Sequence, residues 1–214
     1  IEAFAAASAA SVGGWALAHI HGGDRAEGIA DEAMRHAISK LAHLHCAATV
    51  QSMERLIRMG EAPDRVKCVG SPAIDALAAC PVLNDESFRE LGAPDVVALL
   101  HPCGLEPVVE RAWAQAMASA VQGQRVLWLA PNHDPGRDVI ERTMREPASS
   151  LVVCRELLPR EQFVGLLKRL SRDGGALIGN SSAGLIEAAA LRCPAVDIGP
   201  RQAGRERPNN VVHV

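Results

Sequence analysis

The chain contains no tyrosine, and aromatic residues make up only 3% of its 214 positions. That scarcity disfavours the modules that bind nucleic acid by stacking bases on aromatic rings. Charge of one sign is missing too. The formal net charge is −3, which offers no general attraction to nucleic acid or to an anionic membrane. Long apolar runs are also absent. The longest, residues 12–20, is broken by Gly13 and Gly14 and is too short to span a bilayer. No charged start precedes an apolar core with a cleavage pattern, so no signal peptide is read. The six cysteines, at positions 46, 68, 80, 103, 154 and 193, show no CxxC spacing. They read as reduced packing thiols, which argues against a zinc ribbon or disulfide scaffold and places the protein in the cytoplasm.

What is present is an ordinary globular composition, 48% apolar and 22% charged, with strands and helices in alternation. Residues 1–10 form an Ala-rich, helix-like run that begins on Ile rather than Met, as expected of a fragment. Strands are expected at 15–20, 45–49 and 65–69. A glycine-bearing loop at 21–28 and a helix from Ile29 with apolar residues at a 3.6 period follow the first strand. A second helix is expected at 52–59. Composition shifts near 79–84, which sets a boundary between a first domain, 1–80, and a second, 81–214. The second domain reads as five strands, at 96–100, 125–129, 150–154, 176–179 and 195–198. Helices at 106–121, 134–144, 161–171 and 183–191 are interleaved with them. The fold class is therefore α/β with parallel sheets covered on both faces. In such sheets ligands bind at the carboxyl ends of strands, and the polar loops at 101–104, 131–136, 180–182 and 199–207 lie there.

Several of these loops carry chemistry. Gly179-Asn180-Ser181-Ser182-Ala183-Gly184 follows a strand and opens an expected helix. Free backbone N–H groups, a helix dipole and two hydroxyls at one place suit a phosphate, although a capping serine gives the same pattern. The segment is neither a Walker A loop nor GxGxxG, which counts against NAD. Glu187, about one turn further on, can accept bonds from ribose hydroxyls or serve as a favourable charge near a helix N-terminus. Arg201, Arg205 and Arg207 lie within seven residues on a glycine-bearing loop, either as a phosphate clamp or as a solvated basic loop. In the first domain, strand alternation puts His19 and His21 on one side. Gly22 and Gly23 would let the backbone approach a ligand closely. The following helix brings Asp31 and Arg35, four apart on one face, where they serve as site groups or as a weak ion pair. Imidazole and carboxylate together are what acid/base chemistry requires. A metal site at His19-x-His21 is not expected, because the additional barrel strands such a site needs are missing. His101 and Asn132 end strands of the second domain at ligand-side positions.

These pieces, taken in order, resemble the hydrolysing UDP-N-acetylglucosamine 2-epimerases of the sialic-acid pathway. The resemblance rests on His19 to Asp24, Arg35-His36-Ala37-Ile38-Ser39-Lys40-Leu41-Ala42-His43, Val69-Gly70-Ser71-Pro72, His101-Pro102, Pro131-Asn132, Gly179 to Gly184, Gly199-Pro200-Arg201-Gln202-Ala203-Gly204-Arg205 and Asn210-Val211-Val212-His213-Val214. It implies two Rossmann-like lobes of glycosyltransferase-B type, the first incomplete, with a UDP-sugar bound in the cleft between them. It implies that Ser181, Ser182, Glu187 and Arg201 hold UDP, and that Asp31, His21 and His101 lie near the sugar. Asn132, Gly22, Gly23 and Arg35 join the binding set. In related non-hydrolysing epimerases a glutamate looks to stand where His21 is. The resemblance also implies no cofactor or metal, no nucleic-acid or membrane partner, a homo-oligomer, and an upstream segment without which residues 1–214 do not turn over substrate. The alternatives are a hydrolysing epimerase acting on UDP-2,4-diacetamido-2,4,6-trideoxyhexose, a glycosyltransferase of the same fold, and a non-catalytic nucleotide-sugar sensor.

Overall fold

A computed structural model describes residues 1–26, 30–146 and 149–214. The expected loop positions 27 and 28 and the helix start at Ile29 lie outside these residues. The chain divides into two compact units, Ile1–Pro72 with Gln202–Glu206, and Ala73–Arg201 with Arg207–Val214.

The first unit is built on a three-stranded parallel sheet in the order β1-β2-β3. Its elements are α1 (Glu2–Val12), β1 (Ala18–Ile20), α2 (Ala30–Leu41), β2 (Leu44–Ala47), α3 (Val50–Arg58) and β3 (Val66–Cys68). The β1 strand starts three residues later than alternation predicts. Thr49, expected to end the second strand, instead caps α3: its side chain accepts from the Ser52 N–H at 3.1 Å. The small core consists of Ala47, Leu56 and Val66, with Met53 and Ile57 packed against it.

The second unit contains α4 (Asp85–Glu90), β4 (Val96–Leu99), α5 (Pro107–Ala120), β5 (Val126–Leu129), α6 (Arg137–Arg145), β6 (Val152–Arg155), α7 (Arg160–Asp173), β7 (Ala176–Gly179), α8 (Glu187–Ala190), β8 (Ala195–Asp197) and β9 (Val211–His213). Six parallel strands run in the order β6-β5-β4-β7-β8-β9. Alternate residues serve opposite faces. Val97, Leu127 and Leu177 join one buried cluster with Leu166, Leu167 and Leu170 of α7. Ala98 and Trp128 join the other with Ala114 and Met117 of α5 and Ile140 of α6. This two-sided burial is what near-continuous apolar strands require. The chain steps outward from β4 to β6, then returns to the other side of β4 at β7. The strand order therefore reverses between β4 and β7, the position at which open α/β sheets bind ligands.

Two features depart from the expected elements. The helix expected over 183–191 is a 3₁₀ turn at Ser182–Gly184 followed by the single helical turn α8. Gly184 lowers helix propensity here, and Ile186, with ψ −78°, leaves regular helical geometry before α8 begins. The short elements α4 and β9 are additional to those expected. Among the described residues, no helix is long and apolar enough to cross a membrane, and all six cysteines are free thiols.

Candidate functional site

In the first unit, polar groups gather at the carboxyl edge of the three-stranded sheet. β1 ends at Ile20, and His21 turns out of the strand with φ +64°. Strand alternation therefore stops one residue short of His21. His19 stays buried in the strand, its Nδ1 3.1 Å from Ser39 Oγ. Burial, reinforced by His45 and Arg35, pushes its pKa down to about 4. His21 has a different environment. Its Nδ1 lies 3.0 Å from Asp24 Oδ2, and its Nε2 lies 2.9 Å from Ser71 Oγ. Ser71 reaches it from the segment after β3, and Ser52 reaches Asp24 from the first turn of α3, donating to Oδ1 at 2.7 Å. Burial alone would raise the Asp24 carboxyl. The bonds from His21 and Ser52, with the charge of Arg205 at 3.9 Å, outweigh it and hold the group below its ordinary range.

The other first-unit candidates surround this pair. Gly23, at φ +81°, lies so close to α3 that a Cβ there would come within 2.2 Å of the Ser52 carbonyl. Its lack of a side chain is required by the protein's own packing. Gly22 is buried beside His19 and Ser39. Arg35 donates to the Asp24 carbonyl at 3.3 Å. Asp31, at the start of α2, is exposed and, among the described residues, forms no ion pair. The α2 carboxylate engaged by the protein's own groups is Glu32, which accepts from the Ala26 N–H at 2.9 Å and pairs with Arg25 at 3.2 Å. Arg25 also lies under Gly204, and Arg205 donates to the Arg25 carbonyl at 2.6 Å.

In the second unit, the candidates collect where the strand order reverses. His101 follows β4 and Asn180 follows β7. Asn180 is fully buried. Its Oδ1 accepts from the His101 backbone N–H at 2.7 Å, and its Nδ2 donates to the His101 carbonyl at 2.8 Å. The Asn180 carbonyl in turn accepts from Arg201 Nη1 at 3.2 Å. One residue thus ties together the loops after β4, β7 and β8. Asn132, in the loop after β5, gives its backbone N–H to His101 Nδ1 at 3.0 Å. Burial, together with the positive charge of Arg201 and against the pull of Asp134, pushes the His101 pKa down to about 4. Cys103 is buried in the same turn, and its thiol is pushed up to about 11 by burial and by Glu110.

Ser181 and Ser182 flank this centre and are half-buried. Ser181 Oγ accepts from the Ala183 N–H at 3.3 Å and so caps the 3₁₀ turn. With so short a turn following it, any anion binding here rests on individual N–H and O–H donors and Arg201 rather than on a long helix dipole. Glu187 opens α8 and pairs with Arg160 at 3.3 Å. Asp24, Ser52, Ser71 and Asn180 are the residues that spacing alone misses, and tertiary packing brings the last three to their partners. A legible signal existed for Asp24, three residues beyond His21 in a glycine loop, and for Asn180, between a strand-ending glycine and two serines.

Comparison with known proteins gives the family and the fold. The family description "UDP-N-acetylglucosamine 2-epimerase" matches residues 1–214. The chain is 31% identical over 219 residues to the UDP-N-acetylglucosamine 2-epimerase of Neisseria meningitidis serogroup B, covering all of this chain and 57% of that protein. It is 34% identical over 224 residues to the hydrolysing UDP-N,N'-diacetylbacillosamine 2-epimerase of Legionella pneumophila, again covering all of this chain and 57% of the relative. Among solved structures, the UDP-GlcNAc 2-epimerase of Methanocaldococcus jannaschii in complex with UDP-GlcNAc and UDP superposes with a TM-score of 0.73 at 16% identity. That match covers 99% of this chain and 62% of that one. The chain therefore spans little more than half the length of the curated relatives it matches, and its fold is the Rossmann-like, glycosyltransferase-B type of the epimerase structures. On the match along its whole length, the chain belongs to the UDP-N-acetylglucosamine 2-epimerase family.

Proposed function

We propose that the protein is a hydrolysing 2-epimerase that converts UDP-N-acetylglucosamine and water to UDP and N-acetylmannosamine. The observation that carries this reading is the His21–Asp24 pair, with Nδ1 to Oδ2 at 3.0 Å, at the carboxyl edge of the first sheet. A carboxylate that accepts from Nδ1 leaves the Nε2 lone pair free for proton transfer, with Ser71 as its resting partner. In the first stage the C2 proton passes to a base and the C1–O bond to UDP breaks, giving a C1=C2 glycal. Water then adds its hydroxyl to C1, and a proton returns to C2 from the other face. Asp31, at the start of α2, is the second candidate carboxylate for these proton transfers. Negative charge builds on the departing diphosphate. Ser181, Ser182 and Arg201 hold it, while Glu187 and Asn132 contribute polar contacts to the nucleotide and sugar. Arg35 and the glycines Gly22 and Gly23 shape the loop that carries His21.

A second reading is favoured by one observation. The identity to the Legionella diacetylbacillosamine enzyme, 34%, is slightly above that to the Neisseria enzyme, 31%. In that reading the chemistry is the same and the sugar carries a second acetamido group. The test is to supply each UDP-sugar to the purified full-length protein and identify both products. Free UDP with N-acetylmannosamine supports the first reading. Turnover confined to the diacetamido sugar supports the second, and a UDP-linked 2-epimer as the final product would overturn both.

A further inference from the structure

We infer that His101 is held as a neutral imidazole with its proton on Nε2, and that it donates a hydrogen bond to an anionic oxygen of the ligand rather than accepting a proton. The role assigned to that oxygen, the diphosphate of a UDP-sugar, rests on the function proposed above. The state of the ring does not.

The argument begins with the backbone. His101 sits at the carboxyl end of β4, where the strand order reverses, and the buried Asn180 amide bonds both its N–H and its C=O. A backbone N–H can only donate, so the atom facing it is Oδ1 and the orientation of the amide is determined. The His101 backbone is thus fixed by the protein's own groups. The ring is fixed by the same logic. Its Nδ1 lies 3.0 Å from the backbone N–H of Asn132, another group that can only donate. Nδ1 must therefore present a lone pair, and the proton of the neutral ring resides on Nε2. Protonating Nδ1 would set two N–H groups against each other and cost the bond.

The surroundings favour the same state. Arg201 is a permanent cation in this cluster, and it opposes a second positive charge on the ring. Asp134 acts in the other direction, and Cys103, Glu110 and Asp197 are further titratable groups packed around the turn. Among the described residues, Nε2 has no protein partner. A proton acceptor needs a free lone pair, and the open nitrogen of this ring has none. It offers an N–H in a cluster that carries the Arg201 charge, which suits an oxygen that gains negative charge as a bond breaks. His101 therefore assists the leaving group, and the proton transfers at carbon belong to other residues, His21 with Asp24 first among them.

Long-range proton–nitrogen correlation spectra of the ¹⁵N-labelled protein, with His101→Ala to assign the signal, read the tautomer directly. The expected result is an Nε2–H ring that does not titrate between pH 8 and pH 5. An Nδ1–H ring, or a titration midpoint above pH 6, would overturn the inference. Addition of UDP should then shift the His101 Nε2–H proton downfield. If UDP binds and leaves that proton unmoved, the donor role is wrong. If UDP does not bind at all, the proposed function fails while the ring state remains decided. Kinetics supply an independent arm. His101→Gln keeps an N–H donor and should retain turnover within about tenfold of the unmodified protein, whereas His101→Ala should lose about a hundredfold or more. Equal loss in both variants, with the fold intact, would mean that the ring acts as a base.

Discussion

His21 Nδ1 and Asp24 Oδ2 lie 3.0 Å apart, three residues from each other along one glycine loop. The pair is closed on one side by Ser52, which donates to Asp24, and on the other by Ser71 at His21 Nε2. Removing the carboxylate charge while keeping its shape tests the dyad most cleanly. Asp24→Asn should lower kcat by about 10²-fold or more, the range for disabling one acid/base group. UDP affinity should change less than about threefold, because the proposed diphosphate donors are Ser181, Ser182 and Arg201. Asp31→Asn, measured in parallel, reports on the other candidate carboxylate. Turnover near normal in both variants would remove the first unit from the proposed chemistry.

Arg201 is buried, and its Nη1 donates to the Asn180 carbonyl, which fixes one arm of the guanidinium. Arg201→Ala should weaken UDP binding by about 1.5–3 kcal/mol, the cost of a lost charge-assisted bond. Calorimetric titration without divalent cation measures it, and a thermal melt of the same sample shows whether the fold survives. Unchanged affinity, or binding only in the presence of Mg²⁺, would contradict the placement of the diphosphate.

Two glycines separate steric from conformational cost. Gly179 ends β7 at φ +143°, and a Cβ there would meet the Leu99 carbonyl at 1.9 Å. Gly179→Ala should destabilise the protein by more than about 4 kcal/mol or abolish soluble expression. Gly123 has φ +83° with open space around the Cβ position. Gly123→Ala should cost only about 1–2 kcal/mol, the penalty of a left-handed backbone. Comparable melting temperatures for the two variants would show that β4 and β7 are not packed as described.

Much of this architecture was legible in the sequence. Apolar runs at 96–100, 125–129 and 176–179 became adjacent parallel strands, and the 3.6-period pattern after the glycine loop became α2. What escaped had specific causes. The Ala-rich run after Ser182 reads as one helix, yet the 3₁₀ turn and Ile186 divide it. β9 is three residues long and too short for periodicity to register. Alternation was carried one residue too far at His21, where the chain turns left-handed. Local spacing could nominate His21 and His101. It could not pair Ser52 and Ser71 with the dyad, or Asn180 with His101, because those contacts join residues 28 to 79 positions apart.

The buried His19 makes stability depend on pH. Its folded pKa is pushed down to about 4, chiefly by burial, with His45, Arg35 and His21 adding to that effect and Asp24 opposing it. An unfolded histidine titrates near 6.5. Above that value the ring is neutral in both states and costs nothing. As pH falls from about 6.5 to about 4, the unfolded chain takes up the proton first, and stability declines by on the order of 3 kcal/mol for this ring. Urea unfolding of the protein and of His19→Gln at pH 7.5 and pH 4.5 measures the difference. The substituted protein should lose less stability on acidification, and equal losses would show that His19 is not held neutral.

The most direct test of the proposed chemistry follows isotopes from solvent into product. Turnover of UDP-N-acetylglucosamine by the full-length protein in D₂O should give free N-acetylmannosamine carrying one deuterium at C2. In H₂¹⁸O the released UDP should contain no new ¹⁸O, because the bond broken is C1–O and not P–O. Retention of the original hydrogen at C2, or ¹⁸O in the β-phosphate of UDP, would contradict elimination followed by hydration.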